Sequence, residues 1–75
     1  MDEHDTVVLT VDIPEHQLRA GDLGTIVMVH RGGAGFEVEF VTLSGDTVAV
    51  LTLLPNQVRS LGRREIAQAR TIEAA

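Results

Sequence analysis

The sequence predicts an all-β domain, an SH3-like small five-stranded barrel with a short helical turn before the last strand and a C-terminal tail of helical composition. Three observations point there. Residues 21–30 and 36–40 are β-favouring runs joined by the glycine-rich Arg31-Gly32-Gly33-Ala34-Gly35, the pattern of a hairpin. Three further short apolar runs, at 6–11, 47–53 and 58–61, are set off by turn residues or proline. An antiparallel sheet of this size protects its edges by curling so that its strands shield one core.

In Thr6–Val11 the two-residue period puts Val7, Leu9 and Val11 on one side and Thr6, Val8 and Thr10 on the other. Pro14 then removes a backbone donor and ends the run. Residues 12–22 read as an irregular excursion or a single helical turn, with Ile13 and Leu18 as inward anchors and Glu15, His16, Gln17 and Arg19 in water. Ala20-Gly21-Asp22 is a turn into the second strand. The facing of that strand is left open, because Thr25, Val27 and Val29 compete with Ile26 and Met28.

The third strand alternates cleanly, with Phe36, Val38 and Phe40 inward and Glu37 and Glu39 outward. Ser44-Gly45-Asp46 turns into a fourth strand at 47–53, and Leu54-Pro55-Asn56-Gln57 reads as a tight helical turn before a closing strand at 58–61. Residues 1–5 are assigned to a flexible N-terminus, 6–61 to the barrel, and 62–75 to a tail that is helical or disordered. Ile66, Ala69 and Ile72 give the tail a weak apolar stripe, although an isolated helix this short is marginal in water. The alternative architecture is an open sheet against which this segment packs.

Seventy-five residues support one small domain, and without cysteine the core depends on aliphatic side chains with Phe36 and Phe40. The acidic start lacks the basic residues of a signal peptide, and no apolar run is long enough to span a bilayer, so a cytoplasmic location is expected. Net charge is −5 and is distributed unevenly. Residues 1–58 carry nine acidic side chains against Arg19 and Arg31, whereas 59–75 carry Arg59, Arg63, Arg64 and Arg70 against Glu65 and Glu73. A body of this sign is the wrong one for tracking phosphates and suits a basic protein partner, or solubility alone.

No catalytic arrangement stands out. The Gly32-Gly33-Ala34-Gly35 cluster is not followed by the Lys-Ser/Thr pair of a phosphate loop. His4, His16 and His30 are widely spaced, so no metal or other cofactor is expected. Ser44 and Ser60 have no predictable histidine beside them, and a domain this small offers little material for an enclosing pocket. A binding role is left, with Asp12, Glu15, Asp22, Glu37 and Glu39 as the candidate protein-binding residues. A homodimer closing an exposed sheet edge is compatible with that role.

The blocks Asp5–Leu9, Asp12–Glu15, Leu18–Val27 and Phe36–Phe40 resemble an uncharacterised bacterial family, domain of unknown function 4926, over roughly residues 5–61. The resemblance implies a small cytoplasmic protein of unassigned biochemistry. Similarity in size to the small proteins encoded beside toxins implies an antitoxin- or immunity-like inhibitor, with its partner encoded by an adjacent gene. Gly21–Val27 also looks like the strand-turn signature of small barrels associated with translation and transcription. That likeness implies a nucleic-acid-associated module as the alternative, with Arg59, Arg63, Arg64 and Arg70 as its contacts.

Overall fold

A computed structural model describes residues 1–73. Five strands form one antiparallel sheet: β1 Thr6–Leu9, β2 Leu23–His30, β3 Gly35–Val41, β4 Thr47–Leu53 and β5 Val58–Ser60. A 3-10 turn at Pro14–His16 interrupts the β1–β2 connection, and another at Pro55–Gln57 precedes β5. In the second, the Gln57 side chain accepts a 2.8 Å hydrogen bond from the Leu54 amide.

The sheet is open, which corrects the expected barrel. Its strands run in the order β4-β3-β2-β1-β5, with no pairing between the end strands β4 and β5. Closure requires those two edges to hydrogen-bond to each other. The three residues of β5 instead pair with β1, in the register Val7↔Ser60, Val8↔Arg59 and Leu9↔Val58. The sheet shields its core on one face, and the β1–β2 connection covers it. Val7, Leu9, Ile26, Phe36, Val38, Phe40, Leu53 and Val58 form that inner layer, and Leu18 from the connection is buried with them. An Ile13↔Leu18 bridge holds the connection in shape, with Val11 and Ile13 packed partly against the core.

The glycine-rich reversal is the β2–β3 turn. Gly32 and Gly33 take positive φ values of 68° and 115°, which a side chain would resist, and the Gly33 and Ala34 amides both donate to the His30 carbonyl. The ambiguous facing of β2 has a structural cause. A register shift between Ile26 and Met28 inserts an extra residue, so Ile26 points inward while Val27 and Met28 are both exposed.

The N-terminus is tied to β2, because His4 donates to the Ile26 carbonyl at 2.7 Å and Ile26 donates to that of Asp5 at 2.9 Å. The C-terminal segment forms no helix over residues 61–73; the remainder of the predicted tail, 74–75, lies outside the described residues. Ile66 is 93% exposed and Ala69 is exposed too, so only Ile72 of the expected stripe is partly buried and a helix here would have little tertiary support.

Candidate functional site

The alternation of β3 places Glu37 and Glu39 on the sheet face opposite the core. Register puts Met28 and Thr52 on either side of Glu37, and Thr25 and Val50 on either side of Glu39. Both carboxylates are held by neighbouring strands. Glu37 Oε2 accepts hydrogen bonds from Thr52 Oγ1 at 2.6 Å and from His30 Nε2 at 2.8 Å. Glu39 Oε2 accepts one from Thr47 Oγ1 at 3.1 Å. The Thr52 hydroxyl first, and the His30 ring second, hold the Glu37 carboxyl below its ordinary range.

Apolar side chains surround these charges. Met28, Val50 and Leu54 are each about half exposed, at 49%, 50% and 55%. Met28, His30, Arg31, Glu37, Thr52 and Leu54 help line an open depression of about 640 Å³. A fixed anionic centre with an apolar surround can take a cationic side chain together with its aliphatic stem.

The other predicted acidic residues lie on the β1–β2 connection. Asp12 Oδ1 accepts from the Ala20 amide at 2.9 Å and so braces the loop. Glu15 is exposed in the first 3-10 turn. Asp22 Oδ2 accepts from the Arg19 amide at 2.7 Å, and Asp22 Oδ1 accepts from Arg70 Nε at 2.9 Å. Burial pushes the Asp22 carboxyl up, but the Arg70 and Arg19 hydrogen bonds outweigh it and hold the group below its ordinary value.

Two of the four candidate nucleic-acid arginines are therefore engaged within the chain. Arg70 pairs with Asp22, and Arg59 forks onto Glu65 at 2.7 and 2.6 Å. Arg63 and Arg64 are exposed, with no hydrogen bond or ion pair among the described residues. No group of three or more His, Cys, Asp or Glu among the described residues could hold a metal ion. No helix among them is long and apolar enough to cross a membrane.

The Glu65 pair makes a pH prediction. Arg59, then the Gly62 amide, lowers the Glu65 carboxyl from 4.5 to about 2. Because the folded value is the depressed one, the unfolded chain binds more protons between these limits, so stability falls as pH falls through that window. Thermal midpoints of the wild type and Glu65→Gln should differ at pH 6 and converge as pH approaches 2. A gap that persists unchanged to pH 2 would show that it does not arise from the ionised Glu65 carboxylate.

Sequence reasoning found Glu37 and Glu39 but missed His30 and Thr52 as the partners of Glu37 and Thr47 as that of Glu39. Hairpin arithmetic held part of the signal, since His30↔Gly35 places residues 28 and 37 opposite each other. The Asp22–Arg70 pair spans 48 positions and leaves no local trace.

The chain belongs to the family described as Domain of unknown function (DUF4926), whose model matches residues 3–60. No curated protein and no solved structure matches it.

Proposed function

We propose that the chain is a non-catalytic protein-binding module that docks a basic protein on the exposed face of β2, β3 and β4. One observation carries this reading: Glu37 and Glu39 share that face with exposed Met28 and Val50. A docking surface uses both, apolar area for affinity and carboxylates for orientation and choice of partner. The −7 charge of residues 1–58 would steer a cationic protein toward the domain. An antitoxin- or immunity-like inhibitor in the cytoplasm is the biological form we favour, with the product of an adjacent gene as the first partner to try.

The test is capture from the native cell extract at physiological salt, with the full chain and its Glu37→Lys/Glu39→Lys variant run in parallel. A basic protein should be retained by the wild type and lost by the variant. Measured with that purified protein, the charge reversal should weaken binding by about 1 kcal/mol or more. Retention of the same material by both chains, or of none by either, would refute the proposal.

A further inference from the structure

The C-terminal segment returns across the molecule after β5 and is anchored by Arg70. The guanidinium donates through Nε to Asp22 Oδ1 at 2.9 Å, and through Nη2 to Asp22 Oδ2 and to the Gln17 carbonyl at 2.8 Å. These acceptors sit on the well-braced β1–β2 connection. Gln17 is in the left-handed region at φ 57°, and its amide donates to the Pro14 carbonyl at 3.0 Å. Asp22 is fixed by the Arg19 amide, and its own carbonyl accepts from Leu9 at 2.8 Å.

Residues 61–73 carry no helix or strand, and apart from Ile72 all are exposed. Ile72 and Glu73 reach only a second depression, shared with Glu15, His16, Gln17, Thr47 and Val48. The Asp22 carboxylate and the Gln17 carbonyl thus take three guanidinium hydrogen bonds from an arginine whose segment is tied to the sheet further back, at Glu65 by Arg59. The Asp22 side chain is only 19% exposed and the Arg70 side chain 27%, so the pair is partly withdrawn from solvent screening.

We propose that the Asp22 carboxylate and Gln17 carbonyl form a guanidinium-binding site that Arg70 fills in cis, and that an arginine side chain of a protein partner takes it when the C-terminal segment lifts away. The site deepens the reading of the chain as a module for a basic protein, and rests on it for the identity of the ligand's bearer. Arg70 acts as a built-in competitor, so a partner engages fully only if it supplies an arginine able to replace it. A lysine ammonium cannot reproduce the fork and should exchange poorly.

The test uses a blocked Gly-Arg-Gly peptide and its Gly-Lys-Gly counterpart, titrated into the full chain and followed by backbone NMR shifts. Apparent affinity scales with the open fraction, so a segment seated ~90% of the time predicts about tenfold tighter binding of the arginine peptide to Arg70→Gln than to the wild type. Shifts should centre on residues 17–22. The gain should vanish in Arg70→Gln/Asp22→Asn, where asparagine retains an acceptor for the Arg19 amide and so preserves the loop. Glu37→Lys/Glu39→Lys should leave the gain intact, which separates failure of this site from failure of the β2–β4 face. Equal affinity of the wild type and Arg70→Gln, or a gain that survives Asp22→Asn, would overturn the proposal.

Discussion

Replacing Phe40 with alanine should lower the free energy of unfolding by about 3–5 kcal/mol, the range for emptying a buried aromatic site. Phe40 is the largest fully buried side chain, 2% exposed, and it packs in the inner layer with Val7, Leu9, Ile26 and Val38. A 75-residue domain has roughly 4–11 kcal/mol in all. The substitution therefore removes a large share of the total, and much of the population should unfold at moderate temperature. The single sheet makes the loss harder to absorb, because the core is shared between its inner face and residues of the β1–β2 connection such as Leu18, and no second sheet can settle into the gap. Urea titration followed by far-UV circular dichroism reads the effect directly. A midpoint corresponding to less than about 1 kcal/mol of loss would mean that Phe40 is not packed as described.

Gly24→Ala is the second large effect, and it has the opposite sign of volume. A Cβ built at Gly24 would lie 2.6 Å from Val38 Cγ1 and 2.9 Å from the Phe40 ring, closer than carbon atoms approach. Both neighbours are buried, so neither can swing into solvent to make room. Overpacking of this kind costs about 1–3 kcal/mol, and two simultaneous clashes place the expected loss at the upper end. The pair of predictions is coupled through one space. Phe40→Leu shrinks the ring that Gly24→Ala strikes, so the double variant should be more stable than the sum of the single losses implies. Strict additivity in that cycle would show that the two residues do not share the site.

Gly24 also shows where sequence reading stops. Residues 21–30 read as a strand entered through the Ala20-Gly21-Asp22 turn, but nothing local shows that Gly24, inside β2, is needed for the approach of β3 side chains. Only the pairing of distant segments reveals that. The strands themselves were legible, because the alternation of Phe36, Val38 and Phe40 with Glu37 and Glu39 fixes both the extended state and its facing. The hairpin was legible from its glycines.

Closure was not legible, since it depends on whether the free edges of β4 and β5 meet, and the side-chain pattern is the same in an open and a closed sheet. The tail failed as a helix for a related reason. Its alanine, glutamine and arginine favour helix locally, but Ile66 found nothing to cover. At the candidate site, the outward carboxylates followed from the two-residue period. The exposed Met28 beside them depended on the bulge after Ile26, and the cradle that holds Arg70 depended on a contact between the two ends of the chain.

The most direct test of the docking face is a methyl NMR spectrum of the full chain, recorded before and after addition of the basic protein that it captures. If the face formed by β2, β3 and β4 is where the partner sits, the methyl signals of Met28, Val50 and Leu54 should move together, while those of the inner layer, Val7, Ile26 and Val38, stay in place. Movement confined to remote exposed groups such as Leu43 or Ile66, with Met28 and Val50 unchanged, would contradict the account.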